Sequence, residues 1–226
     1  MEPFDDQRYP VRAPGWAAID LACSRLYPGA VPHQFASNTA YDLQSTSPLP
    51  AISVWEAAGH WHFVTYGLSE LFEKTSERAD VSGFGFELTL RLPRPPGEER
   101  PPAWPLRLLQ GLGGFVLSGH APLDTGHVID LGGPLDGAGS ALTGVVLVPD
   151  PQLGKLDTPH GSLLFLQLFG LAPDEVEALQ TWDLPRKVGL VMEVERSAIT
   201  DPARPPLRED RRTAPIFLRY AARILL

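Results

Sequence analysis

The sequence predicts an α+β fold. Apolar segments with strand character cluster along the chain, a few helical segments lie between them, and strand and helix do not alternate regularly. The 226 residues are 43% hydrophobic and include five tryptophans, which is enough for one packed core. We predict a domain over residues 1–200 and a proline- and arginine-rich C-terminal tail over residues 201–226.

The first predicted element is a helix over residues 16–26. Its apolar residues follow the i, i+3, i+4, i+7 spacing of one helix face, and they are Ile19, Ala22, Cys23 and Leu26. The sequence Tyr27-Pro28-Gly29 ends the helix. Because Cys23 lies on the apolar face, we expect a buried and unreactive thiol.

Three predicted strands follow. Residues 51–56 and 60–66 form the first two. The third alternates polar and apolar residues, and its apolar members are Phe84, Phe86, Leu88, Leu90 and Leu92. This alternation predicts a strand with one face buried and the other in solvent. We place it at the centre of the sheet, with the first four apolar members buried and Trp61 and Phe63 on a neighbouring strand.

The second half of the chain has a similar mixture of elements. Pro105 begins a helix that runs to about residue 117, and its glycines at 111, 113 and 114 let another element pack closely. Residues 120–141 are mostly loop. Apolar runs at residues 142–148 and 162–169 are typical of central strands that are covered on both faces. Pro173 begins a further helix, and residues 188–195 are predicted to form the last strand.

Charge and composition exclude several functional classes. The net charge is −8, with −11 on residues 1–200 and +3 on residues 201–226. An acidic body opposes nucleic-acid binding and favours a basic protein partner. The single cysteine, the acidic N-terminus and the lack of an apolar run of ~20 residues predict a cytoplasmic protein without a membrane span. Sixteen arginines against three lysines, with 24 prolines, fit a GC-rich bacterial genome.

Two histidines are the strongest candidates for chemistry. His60 and His62 project from the same face of a predicted strand, so they could share a zinc ion in a metal-dependent hydrolase. Asp80, Glu87 or His127 could supply a third ligand, and the spacing selects none of them. The alternative is that both histidines form structural hydrogen bonds in a packed sheet.

No other pattern predicts catalysis. Glu193 and Glu195 would share a strand face, as paired carboxylates must, but a solvated face gives the same pattern. The motifs G-x-G-x-x-G, G-x-S-x-G, H-E-x-x-H, G-K-[S/T] and C-x-x-C are absent from the sequence. We therefore predict no catalytic residues, no metal, no cofactor and no small-molecule substrate.

A partner surface is predicted around the connection between the second and third strands. Its residues combine an apolar centre with an acidic rim, and they are Tyr66, Glu70, Phe72, Glu73 and Asp80. Such a surface suits a basic or extended partner. The alternative is that Tyr66, Leu71 and Phe72 belong to the core.

Several blocks of the sequence resemble the N-terminal domain of the Suppressor of fused family. They follow one another from about residue 26 to residue 183, and the most specific are residues 60–72 and 82–90. Shorter blocks are Pro102-Ala103-Trp104-Pro105, Asp150-Pro151-Gln152, Thr158-Pro159-His160-Gly161 and Gln180-Thr181-Trp182-Asp183. The resemblance implies a mixed, largely antiparallel central sheet flanked by helices.

The resemblance also implies protein binding rather than chemistry. Animal members of the family restrain Gli-type transcription factors with two domains that close on an extended peptide, which adds as a strand. This sequence resembles only the first domain, and the thirty residues after Arg196 are too few for the second, so we expect no hedgehog role. Single-domain members are similar to immunity proteins of bacterial toxin loci. We expect a non-enzymatic protein that neutralises a cognate toxin; the alternatives are a regulator that sequesters a transcription factor and the metal-dependent hydrolase.

Overall fold

The computed structural model describes residues 13–36, 47–119 and 121–222. In these ranges the chain forms five helices and eight strands. They are α1 (Pro14–Leu26), β1 (His33–Ala36), β2 (Ala51–Ala57), β3 (His60–Tyr66), β4 (Val81–Pro93), α2 (Trp104–Leu117), β5 (Val128–Asp130), β6 (Gly144–Pro149), β7 (Lys155–Thr158), β8 (Gly161–Leu171), α3 (Pro173–Thr181), α4 (Leu184–Val194) and α5 (Ala214–Ala222). Among these helices, none has both the length and the apolar character needed to cross a bilayer.

The strands form one mixed sheet in the order β1-β2-β3-β4-β8-β6-β5, and β7 pairs with β8. Every named strand pair is antiparallel except β4–β8, which is parallel. The α+β fold with a largely antiparallel sheet is therefore confirmed. The central position of β4 is also confirmed, and its neighbour β3 sets Trp61 opposite Leu92 and Phe63 opposite Leu90.

Both faces of the sheet are covered. On one face, α2 packs over a large apolar cluster drawn from β2, β3, β4, β6 and β8. On the other face, α1 covers one end of the sheet and α3, α4 and α5 cover the other end. Cys23, on the inner face of α1, is fully buried, as predicted. The close packing predicted for the α2 glycines is confirmed at Gly113, where an added Cβ would lie 2.5 Å from the Leu49 side chain.

The two faces of β4 differ from the prediction. Phe86, Leu88 and Leu90 are buried as expected, but Phe84 is 42% exposed, so its predicted burial is wrong. The face predicted to lie in solvent is also buried, and its residues Glu87, Thr89 and Arg91 are each 0% exposed. Polar residues tolerate this burial only when their hydrogen bonds are satisfied, which the alternation cannot reveal.

The strand predicted at residues 188–195 is wrong, because residues 188–194 belong to α4 and Glu195 is the C-cap of that helix. Asp183 caps the helix by accepting a hydrogen bond from the Arg186 backbone N–H at 3.0 Å. The valines of this segment recur at every third position, which is one face of a helix, and they pack towards the cluster under α3 and α5. Valine favours strands in general, but here the tertiary contacts select the helix.

The C-terminal segment packs against the rest of the chain. Leu207 and Phe217 are buried in the same cluster as α3 and α4. Arg204 forms an ion pair with the fully buried Glu175, whose carboxylate also accepts the Leu207 backbone N–H. These contacts hold the loop around residues 204–207 and the helix α5 against the cluster that covers the sheet.

The burial difference on β4 gives a matched pair of variants. We expect Phe86→Ala to lower the free energy of unfolding by about 3–5 kcal/mol, because it empties an aromatic site in the core. Phe84→Ala removes the same atoms from an exposed position of the same strand, so its loss should stay below about 1 kcal/mol. Urea denaturation followed by circular dichroism measures both. A loss below about 1 kcal/mol for Phe86→Ala would contradict the core assignment.

Candidate functional site

The structure separates the five residues of the predicted partner surface. Tyr66 is fully buried and Glu70 is only 9% exposed, whereas Phe72 is 39% exposed. Glu73 and Asp80 are exposed. Of the five residues, only Phe72, Glu73 and Asp80 are therefore accessible to a partner in this structure.

Glu70 has a structural environment. Its carboxylate accepts hydrogen bonds from the backbone N–H groups of Thr75 and Ser76, both at 2.6 Å, and from that of Gly83 at 3.1 Å. Lys74 pairs with it at 2.8 Å. Burial opposes ionisation, but these donors hold the pKa of Glu70 well below its usual range. Glu70 therefore holds the loop of residues 70–83 in place, and we expect neutralising it to destabilise the fold.

Tyr66 fits the alternative of a core residue. Its ring stacks on Trp16 with 4.7 Å between the ring centroids. Its hydroxyl donates to Asp20 Oδ1 at 2.7 Å, and burial raises its pKa well above the usual value. The contact joins β3 to α1.

His60 and His62 do project from the same face of β3, as predicted. The Tyr27 hydroxyl lies 2.9 Å from His62 Nδ1 and 3.4 Å from His60 Nε2. His62 is fully buried, and its Nε2 lies 3.2 Å from Asp150 Oδ2, an electrostatic contact without hydrogen-bond alignment. Arg91 also approaches His62 Nδ1, at 3.4 Å. Both histidines therefore have structural partners.

A buried ion pair lies at the centre of this polar cluster. Arg91 and Asp150 are 0% and 2% exposed, and the guanidinium holds the carboxylate with two contacts of 2.9 Å. Thr89 Oγ1 donates to Asp150 at 2.9 Å, and Arg91 donates to the Gln167 side-chain oxygen. Burial alone would raise the pKa of Asp150, but the contacts with His62 and Arg91 hold it well below its usual range. The charged form is thus the stable one inside the sheet.

This cluster offers little to a metal ion. The described residues contain no group of three or more His, Cys, Asp or Glu side chains placed to hold one. Of the suggested third ligands, Asp80 pairs with Arg78 at the surface and His127 precedes β5. Glu87 accepts hydrogen bonds from Thr65 and from the backbone of residues 67–69. The guanidinium of Arg91 beside His62 would also repel a second cation.

The paired carboxylates Glu193 and Glu195 are not arranged for acid–base chemistry. They were predicted on a strand, but Glu193 lies in α4 and pairs with Arg219, while Glu195 caps the C-terminal end of that helix. Substrate activation would require both groups to converge on one point. This arrangement does not provide that geometry.

The edge strand β5 is a better candidate site. The Leu147 N–H donates to the His127 carbonyl at 3.0 Å, and the Leu131 N–H donates to the Thr143 carbonyl at 2.9 Å. Because alternate residues of an edge strand face opposite sides, Val128 and Asp130 turn their N–H and C=O groups away from β6. No described residue hydrogen-bonds to these four groups. They form an open ladder for a further strand.

A groove lies beside this edge, between β5 and α2. We call it the β5 groove; its volume is about 480 Å³, and its apolar lining includes Leu112, Phe115, Leu123, Val128 and Ile129. Phe115 is 46% exposed there. Lys187 and Gly126 also line the groove, and the Lys187 ammonium donates to the Gly126 carbonyl at 2.9 Å. An exposed apolar groove next to an unpaired edge is typical of a peptide-binding site.

The sequence does not reveal this site, because the glycines and prolines of residues 120–141 predict mostly loop. The strand has only three residues, and the glycines around it dominate the local pattern. The available signal was the apolar pair Val128-Ile129 between turn residues. A short edge strand needs its sheet partner to be recognised.

A family model described as Suppressor of fused protein (SUFU) matches residues 45–205 of the chain. Suppressor of fused homologs of Homo sapiens and Mus musculus are each 35% identical to it over 183 residues, which is 75% of this chain and 38% of theirs. The chain thus spans well under half the length of these curated relatives.

Solved structures show the same relationship. A chain in the Sufu–Fu complex crystal structure has a TM-score of 0.79 and 30% identity, covering 88% of this chain and 94% of that one. Drosophila Suppressor of Fused has a TM-score of 0.83 and 29% identity over 94% of this chain and 55% of its own. A homolog from Neisseria gonorrhoeae FA 1090 has a TM-score of 0.57 at 12% identity, over 85% and 96%, which shows a shared fold.

The buried His62 predicts a pH-dependent stability. Burial and the charge of Arg91 lower the pKa of His62 to about 4, so the folded state keeps it neutral while the unfolded chain takes up a proton near pH ~6.5. Protonation of His62 therefore does not affect the stability above about pH 6.5. As the pH decreases from there to 4, the unfolded chain takes up the proton first, and the free energy of unfolding falls by about 3 kcal/mol. Burial raises the pKa of Glu87 to about 7, so Glu87 has the opposite effect within this window.

The comparison of wild type with His62→Gln cancels the effect of Glu87, which both proteins contain. We expect the stability gap between them to narrow by about 3 kcal/mol between pH 7 and pH 4 in urea titrations. His127→Gln, which removes an exposed histidine, is the control. A gap that stays constant across this range would show that His62 is not held neutral by its surroundings.

Proposed function

The chain belongs to the Suppressor of fused family, and from this premise we propose that it is a non-enzymatic, protein-binding domain. The proposed ligand is an extended segment of a partner protein, and the proposed site is the free edge of β5 with the β5 groove. This binding mode is β-augmentation, in which main-chain hydrogen bonds hold the segment and a pocket accepts one of its side chains.

The open edge of β5 carries this proposal. Val128 and Asp130 present two donors and two acceptors to the outside, and an incoming strand can pair with all four. The exposed side chain of Phe115 lines the β5 groove together with Val128. An aromatic side chain in such a position is a frequent centre of binding energy in protein interfaces.

We propose a cognate toxin as the partner, which would make this a cytoplasmic immunity protein. The support is the net charge of −8 together with the acidic groups along the β5 edge, where Asp124 and Asp130 are both exposed. A basic toxin would be attracted to this side of the molecule. The alternative partner is a transcription factor that the protein sequesters, and it would use the same edge.

Co-expression with the toxin encoded beside the gene tests the immunity proposal. We expect the two proteins to associate at micromolar concentration or below, with slower association as salt screens the charges. We also expect growth to recover when both are expressed. If the purified proteins neither associate at micromolar concentration nor restore growth, the immunity role is excluded, while binding of another protein class would still support the domain's general function.

The same binding assay tests the site. We expect Phe115→Ala and Val128→Pro each to weaken the complex at least tenfold, about 1.4 kcal/mol. The first removes the aromatic side chain, and the second removes a donor that faces outward and not towards β6. Leu218→Ala is the matched control, because Leu218 is 56% exposed on α5 and lies outside the groove. Titration calorimetry on the folded variants measures all three.

The exposed part of the 66–80 surface is the rival site. Glu73→Lys combined with Asp80→Lys reverses its charge without touching Glu70, so the fold should be retained. If this double variant loses binding while Phe115→Ala binds like wild type, the partner docks on the predicted surface and not at β5.

A further inference from the structure

We infer that the β5 groove continues into a second groove, and that the bound segment fills both with one apolar side chain each while its main chain passes over Gly111. The inference rests on the proposed function, because it specifies the segment that the β5 edge would receive. The observation that supports the inference is the shape of the surface along α2, where two grooves lie side by side.

The second groove, which we call the α2 groove, has a volume of about 350 Å³. Leu112 lines both grooves. The helix wall of the α2 groove begins at Trp104 and Leu108, and its opposite wall includes Leu131 and Pro134, just beyond β5. The two grooves therefore follow the same helix on one side and the same stretch of chain on the other.

Gly111 lines the α2 groove beside Leu112, the residue that both grooves share, and it has no packing role among the described residues. An added Cβ at Gly113 would meet Leu49 at 2.5 Å, and one at Gly114 would meet Pro48 at 2.9 Å, so packing explains these two glycines. At Gly111 no described atom lies within 4 Å of an added Cβ, and the residue is exposed. Glycine in the interior of a helix is unfavourable compared with alanine. What it provides here is a low surface over which another backbone can pass closely.

The spacing of the grooves limits the segment that can fill both. Phe115 and Leu108 are two helical turns apart, which is about 10 Å along α2. An extended chain advances about 3.3 Å per residue and turns alternate side chains to one face. Two side chains that enter the two grooves must therefore lie two or four positions apart in the segment, at i and i+2 or at i and i+4.

The charges beside the grooves define the flanking residues of the segment. Asp124, Asp130 and Asp136 lie before, in and after β5, and Asp136 lines the α2 groove. None of the three forms an ion pair within the described ranges. The cations of the linings are Arg107 in the α2 groove and Lys187 in the β5 groove, where the Gly126 carbonyl holds Lys187. Backbone N–H groups of the following loop lower the pKa of Asp136, which keeps it ionised. A segment with basic side chains next to its apolar anchors fits this wall.

Synthetic peptides test the channel without the natural partner. Each peptide has a threonine background, a lysine at each end and two phenylalanines on one strand face, at positions i and i+2 or i and i+4. Companion peptides have either phenylalanine replaced by alanine. Binding to the full chain is followed by amide chemical shifts in NMR titrations. We expect the better two-phenylalanine peptide to bind at least about tenfold more tightly than its single-phenylalanine companions, with shifts at Val128 and Asp130.

Gly111→Gln should weaken binding of the two-phenylalanine peptide by about tenfold and leave the weaker single-phenylalanine peptides unchanged. Its thermal midpoint should equal or exceed that of wild type, because glutamine favours helix and has space there. Leu117→Gln, on the same helix but outside both grooves, is the control.

Three results would contradict the proposal that one segment fills both grooves. They are equal affinity for one- and two-phenylalanine peptides, wild-type affinity of Gly111→Gln for the two-phenylalanine peptide, and no chemical-shift changes with any peptide at about 1 mM. The proposed function fails separately. If Phe115→Ala abolishes single-phenylalanine binding while Gly111→Gln has no effect, the channel is wrong and docking at β5 is supported.

Discussion

The ion pair between Arg91 and Asp150 is the interaction on which the arrangement of this fold depends. Both side chains are buried inside the layer between the sheet and its helices. A buried pair of this kind is tolerated only when geometry and additional hydrogen bonds compensate for the loss of hydration. Asp150 meets this condition, since it also accepts the backbone N–H groups of Gln152 and Leu153, both at 2.9 Å.

The position of this pair explains how one face of the sheet can hold two separate apolar clusters. The cluster beneath α1 and the cluster beneath α3, α4 and α5 lie at opposite ends of that face. Arg91, Asp150 and His62 lie on β4, after β6 and on β3, and Gln167 on β8 extends the network to the Ala198 carbonyl at 2.7 Å. The polar cluster thus joins the strands and the C-terminal segment in the region that the apolar clusters leave uncovered.

The same cluster makes chemistry at the histidines unfavourable, because both imidazoles already have structural partners. Tyr27 contacts both imidazoles, and the carboxylate beside His62 is paired with Arg91. Strand addition requires unpaired backbone groups at the surface, and β5 has groups without a hydrogen-bond partner in the part of the chain that the structure describes, next to an apolar groove. The polar interior and the open edge serve different purposes: the first fixes the sheet, and the second presents its hydrogen-bonding groups.

The sequence by itself determined the elements with local signals. The helices α1, α2 and α3 follow from apolar spacing and from proline in the first turn, and β2, β3, β6 and β8 follow from apolar runs that the buried sheet requires. The family resemblance, carried by motifs within these elements, was also readable from sequence. Tertiary structure alone decided the rest. Arg91 is buried because Asp150 neutralises it, residues 188–194 are helical because the cluster under α5 receives their valines, and β5 is a strand because β6 pairs with it. Each of these outcomes depends on a partner far away in the chain, which a local pattern does not contain.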